Sequence, residues 1–122
     1  MEVIKLVENL SIDLQNNIKS IIDILTPIRN EFDIQEVYLF GSYAKRCVSK
    51  KSDIDILVLL GSNNKDREQL RKARWQVEDI IENNFNQCEV DVKLYTKDDF
   101  TKYSKVPFSF EQLVSEYMIK LI

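Results

Sequence analysis

The run DIDILVLL, residues 53–60, is the part of this chain that most constrains its fold. Six of its eight residues are aliphatic, and a Gly-Ser-Asn-Asn turn follows, so the run predicts a buried β-strand. Residues two apart on a strand project to the same side. Asp53 and Asp55 therefore share one face, while Ile54 and Ile56 pack on the other. Two carboxylates at the head of a buried strand require an explanation.

Segments with the periods of helices and strands surround this run. Apolar residues recur every three or four positions over residues 11–32, which predicts either one helix kinked at Pro27 or two helices divided there. Segments 36–40 and 88–95 predict two more strands, and segment 68–85 predicts a helix between strands. Residues after 95 predict one or two short helices, with or without a last strand. This order fits an α/β or α+β domain with a small sheet.

Length and composition exclude several classes of protein. At 122 residues the chain is predicted to form a single domain, 1–122, and its net charge of −3 argues against a protein that binds nucleic acid mainly through phosphate contacts. It contains no histidine, and Cys47 and Cys88 lack CxxC partners, which excludes the usual zinc sites and histidine-assisted nucleophiles. No apolar segment is long enough for a membrane span, so we expect a cytoplasmic protein.

A third carboxylate is predicted to join the first two. In the segment 88–95, Val90, Val92 and Leu94 alternate with Glu89, Asp91 and Lys93. Asp91 can therefore lie beside Asp53 and Asp55 on a neighbouring strand. Clustered carboxylates repel one another, and Mg²⁺ ions with oxygen ligands resolve that repulsion. Two such ions clamp the groups exchanged in phosphoryl or nucleotidyl transfer. The alternative is an edge strand whose acidic face is simply solvated.

The residues between the first two strands are typical of a phosphate site. Gly41 follows a strand and Ser42 begins a turn, where backbone N–H groups and a hydroxyl can hold phosphate oxygens. Lys45 and Arg46, with two lysines at 50 and 51, can neutralise a triphosphate. Taken separately, these residues also fit a plain turn and a solvated loop. Together with the three aspartates they satisfy several independent requirements of one site.

The predicted second helix carries arginines on one stripe. Arg67, Arg71 and Arg74 fall at i, i+4 and i+7, which fits either a contact surface or a solvated helix face. On the same segment, Trp75 and Phe85 are predicted to be core residues.

At these residues the chain resembles the nucleotidyltransferase superfamily related to DNA polymerase β. The shared pattern is a GS pair, about ten residues, D-x-D, and a third acidic residue on a later strand. More specifically, the block at 37–60 resembles that of the minimal nucleotidyltransferases (MNT proteins) of prokaryotes. Many relatives read GS-x-A-x-G, and Arg46 stands here in place of the last glycine. That side chain either adds a phosphate contact or crowds the turn.

The resemblance implies a small mixed β-sheet flanked by helices. It also implies an enzyme that uses ATP and two Mg²⁺ ions to transfer AMP to a hydroxyl group. On that reading Asp53, Asp55 and Asp91 hold the metal ions, and Asp91 also takes or orients the acceptor proton. Gly41 and Ser42 would seat the terminal phosphates, with Lys45 or Arg46 beside them.

The resemblance further implies a partner. MNT proteins act as antitoxins of HEPN-type ribonuclease toxins, small helical proteins that are neutralised when a tyrosine is adenylylated, so we expect a hetero-oligomer and no direct nucleic-acid binding. Two alternatives stay open. One is a module of the same fold that neutralises its partner by binding alone. The other is a small-molecule (antibiotic) adenylyltransferase.

Overall fold

One four-stranded mixed sheet organises the molecule. The computed structural model describes residues 12–41, 54–61 and 66–122. In chain order its elements are α1 (Ile12–Leu25), a 3-10 helix (Thr26–Ile28), β1 (Ile34–Phe40), β2 (Ile54–Leu60), α2 (Arg67–Asn84), β3 (Val90–Thr96), α3 (Lys97–Ser104), α4 (Phe110–Ser115) and β4 (Ile119–Lys120). The predicted mixed sheet with flanking helices is confirmed.

The strands lie in the order β3-β2-β1-β4. β1 pairs antiparallel with β2 on one side and with β4 on the other, whereas β2 and β3 pair in parallel. Parallel neighbours need a crossover connection, and α2 supplies it here. β2 is thus an inner strand with partners on both sides, which agrees with its almost entirely buried side chains.

The first helical region divides at the Thr-Pro pair. α1 ends at Leu25, and a 3-10 helix with Pro27 in its first turn follows. Proline has no N–H and clashes with the preceding turn, so the α-helix cannot continue through it. The Thr26 hydroxyl donates to the Ile22 carbonyl at 2.7 Å instead of capping the second helix. Of the two arrangements predicted, the break is the one observed.

α2 begins with a reciprocal cap. The Asp66 carboxylate accepts from the Gln69 N–H at 2.8 Å, and the Gln69 side chain accepts from the Asp66 N–H at 3.0 Å. The helix buries Ala73, Val77 and Ile81, a stripe of four-residue spacing.

The core prediction for this helix is half right. Phe85, just after the helix, is buried, but Trp75 is 51% exposed and was wrongly predicted to be core. Trp75 lies two positions from both Ala73 and Val77, about 200° around the helix from each, so it points to solvent.

Two hydrophobic layers cover the two faces of the sheet. On one face, α1 and α2 pack against alternate residues of β2 and β3. These strand residues are Ile54, Ile56, Val58, Leu60, Val90, Val92 and Leu94. On the opposite face, α3 and α4 pack Phe100 and Val114 against Leu57 and Leu59 of β2. The predicted alternation of β2 and β3 is confirmed, and both faces of the sheet are covered.

None of the helices within residues 12–41, 54–61 and 66–122 combines the length and the apolar character needed to cross a bilayer.

Candidate active site

Two predicted site residues, Asp55 and Asp91, lie side by side on the sheet. β2 and β3 run parallel with Asp55 in register with Asp91, and Phe40 of β1 pairs with Asp55 on the other side. Neighbouring strands are about 4.8 Å apart, and in-register residues share a face. Both carboxylates therefore project from the face that α3 and α4 cover, near the first residues of β2 and β3.

Gly41 lies directly against Asp55. Its φ angle is +75°, and a Cβ at this position would overlap the Asp55 carboxylate. A side chain is thus disfavoured twice, by the left-handed backbone and by the space that the carboxylate occupies. The residue that follows β1 thus places its backbone against a predicted metal ligand.

A comparison of the sequence with known families agrees with this arrangement. The family described as "Polymerase beta, Nucleotidyltransferase" matches residues 16–112. The chain belongs to this family. The matched range includes β1, β2 and β3 and hence all the predicted site residues of this polymerase beta-type nucleotidyltransferase domain.

The fold of the domain is also found in a solved structure. A proposed nucleotidyltransferase from Sulfolobus solfataricus superposes with a TM-score of 0.55 at 21% sequence identity. The match covers 84% of this chain and 80% of that one. At this identity the likeness shows a shared fold. A comparison with curated proteins found no significant match.

The other predicted site residues of the nucleotidyltransferase domain cannot be placed in the same way. Asp53, Ser42, Lys45 and Arg46 lie outside the described residues. Within the described ranges no group of three or more carboxylate or thiol side chains is arranged to hold a metal ion. The structure therefore brings together two of the three predicted carboxylates and Gly41.

The two carboxylates suit a divalent ion of the kind that nucleotidyltransferase domains generally use. Mg²⁺ takes oxygen ligands at about 2.0–2.1 Å and commonly binds through one or two carboxylates while keeping waters. The in-register aspartates lie on adjacent strands and on one sheet face, and Gly41 leaves the Asp55 carboxylate the space that a side chain would take. The donor set thus fits the ion that the family implies.

Lys93 also lies at the candidate site, although no motif in the sequence pointed to it. Its ammonium lies 3.4 Å from an Asp91 carboxylate oxygen, and both side chains are nearly half exposed. The alternation of β3 already placed Lys93 on the Asp91 face, so the signal was available in the sequence. A cation at this distance offsets part of the repulsion between the two carboxylates and offers a contact for a phosphate.

Aromatic side chains bound the site of the nucleotidyltransferase domain on the same sheet face. Phe40, the neighbour of Asp55, meets Phe110 of α4 edge to face with ring centroids 5.7 Å apart. Further along β3, the Tyr95 hydroxyl donates to Glu111 Oε1 at 3.1 Å. Burial, followed by the charge and hydrogen bond of Glu111, raises the pKa of Tyr95 to about 12. Tyr95 is therefore protonated at neutral pH and is no candidate for a general base.

Proposed function

We propose that this chain is a Mg²⁺-dependent nucleotidyltransferase that transfers AMP from ATP to a hydroxyl group of a partner protein. The observation that carries the proposal is the in-register pair Asp55 and Asp91 with Gly41 seated against Asp55. A solvated edge strand would not need either feature. β2 is an inner strand, and Asp55 is the one acidic residue in its otherwise aliphatic sequence.

The proposed roles follow from the positions of the side chains. Asp53, Asp55 and Asp91 would hold two Mg²⁺ ions, which when bound neutralise the triphosphate and align the attacking and leaving oxygens. The backbone at Gly41 and the side chains of Ser42, Lys45 and Arg46 would receive the terminal phosphates. The roles of Asp53, Ser42, Lys45 and Arg46 are supported by the resemblance of the GS and D-x-D motifs to those of nucleotidyltransferases.

The transfer itself is a single displacement. The acceptor oxygen bonds to the α-phosphorus of ATP, the bond from that phosphorus to the bridging oxygen breaks, and pyrophosphate leaves. The acceptor proton passes to the Asp91 carboxylate, whose side chain is 46% exposed and so open to an incoming hydroxyl. Asp55 would serve as a metal ligand alone.

The resemblance to minimal nucleotidyltransferases supports the identity of the acceptor. We infer that it is a tyrosine of a HEPN-type ribonuclease toxin and that residues 1–122 act as one antitoxin domain in the cytoplasm. The toxin and this chain would then form a hetero-oligomer.

A second candidate acceptor is a small cationic molecule such as an antibiotic. A cleft of about 450 Å³ opens between the end of α2 and the start of β3. Glu78, Glu82 and Glu89 line it, together with Cys88 and Val90. Val90 packs in the layer of α1 and α2, on the sheet face opposite Asp55 and Asp91, so a positively charged small molecule in this cleft would reach the proposed transfer site only around the start of β3.

Label transfer from α-phosphate-labelled ATP tests the proposal. The purified protein is incubated with Mg²⁺, labelled ATP and the protein encoded by the neighbouring gene, in parallel with cationic aminoglycosides as small acceptors. We expect label on the neighbour, lost with EDTA and with Asp55→Ala. Asp79→Ala, an exposed aspartate on α2, is the matched control and should transfer normally.

Other outcomes separate the alternatives. Label on the aminoglycosides alone would replace the protein acceptor with a small one. A stable complex without any label would support the module that acts by binding. Transfer by Asp55→Ala at the wild-type rate would show that the two carboxylates are not the metal site.

A further inference from the structure

An exposed apolar surface is formed by the end of α3, the connection that follows it and the start of α4. It consists of Tyr103, Val106, Phe108, Phe110 and Leu113, each between 40% and 88% exposed. We call this set the α3–α4 surface. With aromatic side chains of about 150–250 Å² each, it presents on the order of 400 Å² of apolar area. Patches of that size are near the largest that monomers expose and are often functional.

The α3–α4 surface adjoins the candidate active site. Phe110 meets the ring of Phe40, and Phe40 pairs with Asp55 in the sheet. Leu113 follows Phe110 by three residues on α4 and so lies on the same side of that helix. A molecule covering this surface would reach the edge of the site that holds Asp55 and Asp91.

The connection holds its most exposed residue in a strained conformation. Phe108 is 88% exposed and has φ = +62°, in the left-handed region that non-glycine residues seldom adopt. Its N–H donates to Gln112 Oε1 at 2.7 Å, and the Ser109 hydroxyl donates to the Tyr103 carbonyl at 2.9 Å. The backbone is thus fixed by hydrogen bonds in a form that presents an aromatic ring to solvent. Neither the strain nor the exposure stabilises the fold, so both point to a use outside it.

We propose that the α3–α4 surface is the docking site for the acceptor protein, which contributes an apolar face of its own. This inference rests on the proposed function, because docking here would bring an acceptor hydroxyl to the Asp55–Asp91 pair. The neighbouring charges favour an apolar protein face over a nucleic acid. Lys102 and Lys105 are offset by Asp99, Glu111 and Glu116, so no basic groove is present in this described part of the chain.

A double substitution on the surface tests the proposal. Phe108→Ser with Leu113→Ser removes apolar groups that are 88% and 48% exposed, while Trp75→Ser removes an aromatic group on α2 that is 51% exposed and lies outside this surface. Affinity for the purified neighbour-encoded protein is measured by calorimetry, and Mg²⁺·ATP binding is measured separately as a check on the site. We expect the double variant to bind the partner at least about 10-fold more weakly. Trp75→Ser should bind it normally, and all three proteins should bind Mg²⁺·ATP alike.

A photo-crosslinking residue placed at 108, and in parallel at 75, provides a second readout that does not depend on affinity. Crosslinks to the partner from 108 alone support the docking site. Wild-type affinity in the double variant, equal crosslinking from 75, or no complex at all would overturn it. If the partner binds through this surface but is never labelled by ATP, the docking site stands and the proposed function fails.

Discussion

At the scale of single residues, Gly41 is where backbone geometry and proposed chemistry meet. We predict that Gly41→Ala lowers nucleotidyl transfer at least about tenfold and costs roughly 1–3 kcal/mol of stability, because the new Cβ displaces the Asp55 carboxylate and strains a positive φ. Transfer rates and urea unfolding measure the two effects.

The second glycine of the chain supplies the control. A Cβ on Gly61 would likewise overlap a carboxylate, that of Asp33, but at the opposite end of β2. Gly61→Ala should therefore lose some stability and keep its transfer rate per folded molecule. Equal loss of transfer in the two variants would mean that Gly41 acts through the fold and not through Asp55.

The raised pKa of Tyr95 leads us to predict that the stability of the protein depends on pH in the alkaline range. Its pKa is raised to about 12 by burial, then by the charge and hydrogen bond of Glu111, from the ordinary value of 10.0. A group whose pKa is raised on folding stabilises the protein below its unfolded pKa and loses that contribution as pH rises through the folded one. The stability advantage of wild type over Tyr95→Phe should thus be constant below pH 10 and shrink from pH 10 to about 12.

Chemical denaturation at several alkaline pH values measures this difference. Glu111→Gln removes the charge that contributes to the shift and should narrow the pH range over which the advantage is lost. An advantage of wild type over Tyr95→Phe that does not change up to pH 12 would contradict the assignment.

At the scale of elements, α2 depends on its cap. Asp66→Ala removes the acceptor of the Gln69 N–H and should lower the free energy of unfolding by about 1 kcal/mol. The cap follows the end of β2, away from Asp55 and Asp91, so transfer by the folded protein should not change. Asp79→Ala, mid-helix and exposed, should stay within about 0.5 kcal/mol of wild type. Urea unfolding with matched activity assays compares the two, and a change in transfer for Asp66→Ala would show that α2 communicates with the site.

Most elements could be predicted from local signals. The period of two in β3 and the three- to four-residue spacing in α2 gave each element and its buried face, and Pro27 marked the division after α1. Boundaries moved by one or two residues, since β1 begins at Ile34 and β3 at Val90. Trp75 was wrongly predicted to be a core residue because the prediction used its apolar character and ignored its angular position on the helix, away from the buried stripe.

At the scale of the whole molecule, the site depends on register, which local patterns do not determine. The alternation of apolar and polar residues showed which side of its own strand Asp55 or Asp91 occupies, but not which residues of the two strands face each other. Only the parallel pairing of β2 with β3, fixed by the packing of α2 on the sheet, sets them opposite each other. The contact of Phe110 with Phe40 likewise joins distant segments through packing, so sequence patterns alone could not predict it. The pairing of Lys93 with Asp91 differs, because two residues two apart on one strand share a face.

The placement of β4 beside β1 affects which surfaces the chain exposes while it is being synthesised. Tyr38 pairs with Lys120, so one edge of β1 has no partner until residues more than eighty positions later in the chain have been synthesised. At 5–20 residues per second the ribosome takes about 4–16 s to make that stretch. During that time the nascent chain carries an open strand edge of the kind that recruits other polypeptides. We therefore expect chaperones to be most useful to this protein before β4 is synthesised, when they can cover the unpaired edge of β1.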